Sequence, residues 1–350
     1  MIRIGILGFA HGHIGAIAGQ WREHPEYGVQ PAYGWDHDAA RAEKSCADHN
    51  VTRCETVQEL LSKDIQAVII TSETDLHAEL VEQAAAAGKD IILYKPMALT
   101  MSQADRIVRA VENSGVRFTM AWQMRTDPQN QKIREMIQTQ ELGKVCLYRR
   151  RHCLGTHTWA NFENSWHASS KHNRDIFADD SSHPINMMQW IFGMPETVMC
   201  EMSTMVNPKV PNDNAVALFQ YANGMIAEIS CSFTCCASEI TTEVYCEGGS
   251  IQQYFGDNPG ARLPRVKDMP GLKWYREGDA DWTDSGIPSP NAHSPRLGWQ
   301  AKPLADFLAG GDVICSAQEG RDTLRLVLAC YVSAREGRRV NVNDPKIYEI

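Results

Sequence analysis

Three polar residues of this 350-residue chain stand in contexts suited to acid–base chemistry. Asp179 and His183 are four residues apart, a spacing that places both side chains on one face of a helix. A histidine can accept a hydroxyl proton near neutral pH, and a carboxylate one turn away can orient its ring. Lys95 precedes Pro96, which favours an extended backbone, and its ammonium can stabilise a developing oxyanion. Taken singly, each has a structural explanation as a surface or helix-end residue, so the elements that position them matter.

The first 122 residues alternate short apolar strands with helices. Strands are predicted at 2–7, 29–36, 67–70, 90–93 and 117–121, and helices at 14–23, 39–49, 56–62, 77–87 and 102–114. Such alternation with short turns is typical of a parallel sheet covered on both faces by helices. Residues 1–122 are therefore predicted to form an α/β domain with a doubly wound parallel sheet.

Beyond Trp122 the predicted elements change character. Strands are predicted at 144–152, 196–205, 215–221, 225–233 and 240–247, with Asn223-Gly224 as a hairpin turn. Helices are predicted at 182–192, 302–309 and 317–336. Residues 123–350 are therefore predicted to form an α+β domain with a large, mostly antiparallel open sheet. Within it, the loop-rich segment 256–298 is either a lid or an arm that packs on a neighbouring subunit.

A degenerate glycine loop joins the first strand to the first helix. It reads Gly8-Phe9-Ala10-His11-Gly12-His13, so only the first glycine of a G-x-G-x-x-G pattern is kept. Such a loop binds a pyrophosphate through a tight turn and the free amides of a helix N-terminus. Its position between strand and helix favours a dinucleotide site in a Rossmann domain.

Asp36 ends the second predicted strand, where a carboxylate can accept the ribose hydroxyls of NAD. Its charge would repel a 2′-phosphate, so NAD is expected in preference to NADP. The alternative is that Asp36 only caps the helix that follows.

Composition excludes several classes of protein. The 34 basic and 43 acidic residues give a net charge of −9, which argues against nucleic-acid binding. No apolar run is long enough to span a membrane, and no signal peptide is evident. The 11 cysteines show no C-x-x-C pair and are expected to be free thiols in a reducing cytoplasm. A metal site is not expected, since the histidines between 152 and 183 lack the spacing of a known metal motif.

Several motifs occur together in an order that resembles the Gfo/Idh/MocA oxidoreductase family. They are Thr71 with His77, Tyr94-Lys95-Pro96, Arg125-Thr126-Asp127-Pro128, Glu141-Leu142-Gly143-Lys144, Asp179 with His183, and the segment 320–340. The resemblance covers nearly the whole chain. It departs from the family at Tyr94, usually Glu, at Asn186, usually Asp, and at 173–175, where the usual glycines are absent.

The resemblance implies an oxidoreductase acting on a secondary alcohol or ketone of a sugar, inositol or related polyol. It assigns the catalytic roles to Lys95, Asp179 and His183, and implies a homodimer or homotetramer formed through the C-terminal sheet. The expected cofactor contacts are Gly8, Phe9, Ala10, His11, His13, Asp36, Thr71, His77, Tyr94, Lys95 and Gln123. The expected substrate contacts are Lys95, Arg125, His152, His157, Trp159, Trp166, His167, Asp179 and His183.

The sequence therefore predicts an NAD-dependent sugar or polyol dehydrogenase. One alternative is a glycosidase that retains its NAD and works by transient oxidation and elimination. The other is a non-catalytic sensor of sugar or NAD, against which the retention of Lys95 and His183 counts.

Overall fold

The computed structural model describes residues 1–235, 240–254, 271–287 and 295–350. Contacts divide the chain into two compact units. The first contains Met1–Thr126, Lys171–Asn173 and Ser294–Leu324, and the second contains Asp127–Ser170, Arg174–His293 and Arg325–Ile350. The sequence predicts a single domain boundary, after Trp122. In the structure the later segment Ser294–Leu324 also belongs to the first unit.

The first unit is built on a parallel sheet of six strands. They are β1 (Ile2–Leu7), β2 (Val29–Trp35), β3 (Thr52–Arg53), β4 (Ala67–Ile70), β5 (Asp90–Leu93) and β6 (Phe118–Met120). Their order is β3-β2-β1-β4-β5-β6, and β4 is buried along its whole length. The order reverses between β1 and β4, which opens a ligand crevice at the carboxyl ends of the strands. The predicted doubly wound α/β fold is confirmed.

The second unit is built on a sheet of nine strands. They are β7 (Val145–Cys153), β8 (Thr197–Ser203), β9 (Asn214–Gln220), β10 (Ile226–Ser232), β11 (Thr241–Cys246), β12 (Gly249–Tyr254), β13 (Leu272–Arg276), β14 (Thr283–Asp284) and β15 (Val340–Asn341). Their order is β14-β13-β12-β11-β7-β10-β9-β8-β15. Only the β7–β10 pair is parallel among these described strands, so the predicted mostly antiparallel sheet is confirmed.

Helices pack on the sheets, and five of those described begin at a residue whose side chain accepts a first-turn amide. Those of the described residues are α1 (His13–Glu23), α2 (Ala39–His49), α3 (Val57–Leu61), α4 (His77–Ala86), α5 (Met101–Ser114), α6 (Gln123–Thr126), α7 (Pro128–Gln138), α8 (Ser170–Asn173), α9 (Ile176–Asp180), α10 (Ser182–Phe192), α11 (Ala301–Leu308) and α12 (Ala317–Glu336). Thr100, for example, caps α5 by accepting the amide of Gln103, and Gly115 ends it in the left-handed conformation. The indole N–H of Trp21 donates to the carbonyl of Ala301 at 2.8 Å, which fixes α11 against α1 in the first unit.

The predicted loop-rich segment 256–298 lies partly outside the described residues. Its described part contains β13 and β14, which pair as antiparallel strands. The alternatives of a lid or a subunit arm concern residues outside the described ranges. No helix in the described part of the chain is long and apolar enough to cross a membrane.

Candidate active site

Gly8 follows β1 in a conformation that glycine adopts far more easily than any other residue. Its φ is +86°, and a Cβ at this position would lie 2.5 Å from the Cα of Ser72. The Gly8 amide donates to the carbonyl of Trp35 at 2.7 Å, and the Gly8 carbonyl accepts from the hydroxyl of Thr71. The loop after β1 is therefore tied to the ends of β2 and β4.

The N-terminus of α1 has the features of an anion site. No side chain caps it at Gly12, and a Cβ on Gly12 would meet nothing within 4 Å. The rings of His11 and His13 lie 4.4 Å apart, and both approach the ring of Tyr94. A helix N-terminus without a side-chain cap, at a glycine that leaves room beside it, fits the pyrophosphate of a dinucleotide. Ala10 takes the position where a second glycine is usual.

Asp36 follows β2, and its carboxylate is completely enclosed. Oδ2 accepts the amide of Phe9 and Nε of Arg41, both at 2.7 Å. Oδ1 accepts the amide of Asp38 at 2.9 Å and Nη2 of Arg41 at 2.8 Å. Four donors fill the acceptor capacity of a carboxylate. A ribose hydroxyl would therefore bind Asp36 by replacing Arg41, a residue that the sequence analysis does not single out.

His77 joins the loop after β4 to the loop after β5. Its ring is fully buried, with Nδ1 2.9 Å from the carbonyl oxygen of Pro96 and Nε2 3.3 Å from that of Ser72. Burial lowers the pKa of His77 against the opposing effect of these carbonyls. The structure thus places this expected cofactor contact inside the protein, where it stabilises the turn that carries Lys95.

Lys95 and Tyr94 directly follow β5. Lys95 is 4% exposed, which is rare for a lysine and typical of one with a defined role. The hydroxyl of Tyr94 donates to Oε1 of Gln300 at 3.2 Å, and burial raises the pKa of Tyr94. A neutral phenol therefore stands where the family usually has a glutamate.

Gln123 and Arg125 lie on α6, and both are buried. Nη1 of Arg125 donates to Oε1 of Glu319 at 2.6 Å and to the carbonyl of Ile314 at 3.1 Å. Burial opposes ionisation of Glu319, but Arg125 outweighs it and lowers the pKa of that carboxyl. Arg125, predicted as a substrate contact, is thus also one half of an ion pair within the first unit.

Two histidine–carboxylate pairs lie at the junction of α9 and α10 in the second unit. Nδ1 of His167 lies 2.7 Å from Oδ2 of Asp179. Nε2 of His152 lies 2.9 Å from Oδ2 of Asp180, whose other oxygen is 3.8 Å from Nε2 of His183. The structure thus gathers four of the predicted residues and adds Asp180. The sequence signal for Asp180 was only its place next to Asp179.

Asp175 fixes the start of the helix that carries these carboxylates. Its Oδ1 accepts the amide of Ala178 at 3.0 Å and the hydroxyl of Tyr331, and its Oδ2 accepts the amide group of Asn212 at 2.7 Å. Burial raises the pKa of Asp175 despite these bonds. Asp175 therefore anchors α9 where the family usually has glycines.

The predicted aromatic contacts lie on short 3₁₀ turns after β7. The rings of Trp166 and His167 are stacked 3.9 Å apart, and the ring of Phe162 contacts those of His167 and Trp159. Trp159 and His157 are exposed. An aromatic face beside imidazole donors suits binding of a polyhydroxylated ring.

Among the described residues, no group of three or more His, Cys, Asp or Glu side chains is arranged to hold a metal ion.

Comparison with known proteins assigns the family. Residues 2–122 match the model of the oxidoreductase family with an NAD-binding Rossmann fold, and residues 130–252 match the GFO/IDH/MocA C-terminal domain. The chain therefore belongs to the Gfo/Idh/MocA family of oxidoreductases, and its first domain is an NAD-binding Rossmann domain.

Named relatives are distant. D-apiose dehydrogenase of Paraburkholderia graminis is 24% identical over 294 residues, which cover 81% of this chain and 75% of that protein. Inositol 2-dehydrogenase of Serratia proteamaculans is 26% identical over 290 residues, covering 81% and 78%. The chain spans about half the length of several other curated relatives that it matches.

Solved structures share the fold. A levoglucosan dehydrogenase in complex with NADH and levoglucosan superposes with a TM-score of 0.83 at 18% identity, covering 98% of this chain and 100% of the other.

Proposed function

We propose that this protein is an NAD-dependent dehydrogenase that transfers a hydride between a secondary alcohol of a sugar, inositol or related polyol and nicotinamide. The observation that carries the proposal is the group of histidine–carboxylate contacts among Asp179, His167, Asp180, His152 and His183, in a chain whose other domain binds NAD. The names of the relatives, which act on apiose and inositol, support a polyhydroxylated substrate.

The first unit would hold the dinucleotide at the crevice between β1 and β4. Gly8 and the first turn of α1 would bind the pyrophosphate, while Phe9, Ala10, His11 and His13 line the same loop. Asp36 would serve the adenosine ribose. Thr71 and His77 fix the surrounding loops, and Tyr94, Lys95 and Gln123 would face the nicotinamide end. When bound, the nicotinamide supplies the hydride acceptor.

Oxidation of a carbinol breaks its C–H and O–H bonds and forms a carbonyl. His183 would accept the hydroxyl proton, and Lys95 would stabilise the developing negative charge on that oxygen. Asp179 would hold the adjacent imidazole of His167 in one orientation, as a carboxylate does in other histidine sites. In the reverse direction the same groups return the proton to the alcohol.

The substrate would be a neutral polyol. Two carboxylates, Asp179 and Asp180, lie among the histidines of the second unit, so an anionic sugar would meet unfavourable charge there. His152, His157, Trp159, Trp166 and His167 would contact hydroxyl groups and ring faces. Arg125 is a further proposed substrate contact.

We propose NAD as the preferred cofactor, because Asp36 places a negative charge where NADP carries its 2′-phosphate. A homodimer or homotetramer formed through the C-terminal sheet is also part of the proposal. It is supported by the exposed apolar side chains Met199, Val216, Leu218 and Ile226 on that sheet. Ten cysteines of the described chain are free thiols, which suits the proposed cytoplasmic location.

The test incubates the full-length protein with sugars, inositols and sugar acids, first with NAD and then with NADP, and follows formation of reduced nicotinamide. Oxidation of at least one neutral polyol with NAD is the expected result. Release of a glycone with no net reduction would indicate a retained-cofactor glycosidase, and binding without turnover would indicate a sensor. Either outcome would overturn the proposed dehydrogenase.

Lys95→Met then tests the assignment of Lys95. Its kcat is expected to fall by about 10²–10³-fold, since a buried stabilising charge is lost. Lys44→Met on the exposed face of α2 removes an equal charge and should keep full activity.

A further inference from the structure

Arg41 bridges two carboxylates that come from different loops of the first unit. Its Nε and Nη2 donate to the two oxygens of Asp36, which follows β2. Nη2 also donates to Oε1 of Glu73, after β4, at 2.7 Å. His37 completes the cluster, with Nε2 3.0 Å from the second oxygen of Glu73. The guanidinium is therefore fixed by a forked pair with Asp36, by Glu73 and by Nε2 of His37, which lies 3.1 Å from Nη2.

The cluster carries one net negative charge when His37 is neutral. The Asp36 side chain has no exposed surface, Glu73 is 5% exposed and Arg41 is 26% exposed. Burial by itself would raise the pKa of Glu73, but backbone bonds and Arg41 outweigh it and lower that pKa. Glu73 is thus ionised at neutral pH, and two buried negative charges face one positive charge.

This cluster lies where a Rossmann domain binds the adenosine ribose of its cofactor. In a Rossmann domain the carboxylate after the second strand faces the adenosine ribose, and an arginine nearby accommodates the 2′-phosphate of NADP. Arg41 stands in that position, and its Nη1 donates no hydrogen bond within the described residues. Held by Asp36 alone, the guanidinium would be half of a neutral pair with spare donors for a phosphate.

We propose that Glu73 is a second residue that selects NAD over NADP, because it takes up the positive charge that Arg41 would otherwise offer to a 2′-phosphate. The inference rests on the proposed NAD dependence and names a residue outside the usual position after the second strand. Glu73 acts through Arg41 and needs no direct contact with the nucleotide.

The test measures equilibrium binding of NADH and NADPH to the full-length protein, by fluorescence of the reduced nicotinamide and without any sugar. Glu73→Gln keeps the shape and removes the charge. Its Kd for NADPH is expected to fall about tenfold, and its Kd for NADH to change less than about threefold. Added salt should reduce this improvement in NADPH binding, because the cluster is partly exposed and salt screens its charges.

Three further variants make the test specific. Glu79→Gln removes the same charge from an exposed position of α4 and should leave the ratio of the two Kd values unchanged. Adding Arg41→Met to Glu73→Gln should abolish the gain for NADPH. Glu73→Asp keeps the charge and should keep the preference for NADH, which controls for damage to the fold.

The outcomes separate this inference from the proposed function. A wild type that prefers NADH, with a Glu73→Gln variant of unchanged ratio, overturns the role of Glu73 and leaves the dehydrogenase proposal standing. If Glu79→Gln changes the ratio of the two Kd values as much as Glu73→Gln does, the role of Glu73 is also overturned. Loss of any negative charge from the first unit would then explain the change. A wild type that binds neither nucleotide overturns both.

Discussion

The carboxylate of Asp179 lies 2.7 Å from Nδ1 of His167, although the two residues are twelve positions apart in the chain. Asp179 sits on α9, and His167 lies on a 3₁₀ turn where its ring stacks on Trp166. An acceptor at Nδ1 favours the tautomer with the proton on that nitrogen, which leaves Nε2 as an acceptor. The structure therefore gives Asp179 an imidazole partner that the sequence spacing did not indicate.

Replacing Asp179 by Asn should impair turnover more than binding. The amide keeps the size but offers no charge to hold the imidazole and can favour the wrong tautomer, so kcat should fall by about 10²–10⁴-fold. Steady-state kinetics on the substrate found in the screen measure this. Asp281→Asn, at an exposed position of the second unit, is the matched control. An Asp179→Asn enzyme with kcat within threefold of the wild type would contradict the assignment.

Asp180 should matter for substrate binding. It holds His152 at 2.9 Å, and His152 is an expected substrate contact. In Asp180→Asn the charge-assisted bond weakens, so we expect KM to rise about tenfold while kcat changes less than threefold. The split between the two constants is the informative measurement. If kcat fell as far as in Asp179→Asn, Asp180 would belong to the proton-transfer group instead.

Much of the fold follows from local pattern. β4 is a continuous apolar run, as expected for a strand buried on both faces, and the Asn223-Gly224 turn marks the β9–β10 hairpin. The two-residue strands β3, β14 and β15 were not predicted, because two residues show no periodicity. They are strands only through pairing with neighbours that the sheet order brings beside them.

Motif positions in the sequence predict candidate site residues, but they do not predict which partners from distant parts of the chain contact those residues. Asp36 was proposed as a cofactor contact from its place at the end of the second strand, and in the structure it follows β2. Glu73 contacts the same arginine across 32 residues, and His152 reaches Asp180 across 28. Such contacts depend on the order of strands in a sheet, which no local pattern contains. His77 shows the converse, since its motif was found but its ring is buried against backbone carbonyls.

The ion pair between Arg125 and Glu319 should make part of the stability of the protein dependent on pH. Glu319→Gln removes the carboxylate that pairs with a guanidinium only 2% exposed, and should lower the free energy of unfolding by about 1–3 kcal/mol at neutral pH. Because the pKa of Glu319 is lowered on folding from 4.5, its contribution is present above that ordinary value and is lost as pH falls through the folded one. The difference in the free energy of unfolding between Glu319→Gln and the wild type should therefore become smaller at acid pH.

Urea denaturation across a pH series checks this expectation. Glu112→Gln, an exposed residue on α5, should match the wild type at every pH. If the free energies of unfolding of Glu319→Gln and the wild type differ by the same amount into the acid range, ionisation of Glu319 is not the cause of the difference in stability.

The outer face of the second sheet should prove to be the subunit interface. Met199 on β8 pairs with Leu218 on β9. Val216 also lies on β9, and Ile226 lies on the neighbouring strand β10. These four side chains are between 38% and 47% exposed. An apolar patch on one sheet face is typical of an interface, and a second copy would bury it.

Light scattering should give a dimer or tetramer for the wild type and a smaller species for Leu218→Asp, since a buried unpaired charge opposes association. Val313→Asp, an equally exposed apolar site in the first unit, should not change the mass. A wild type that is monomeric at micromolar concentration, or a Leu218→Asp variant of unchanged mass, would place the interface elsewhere or exclude it.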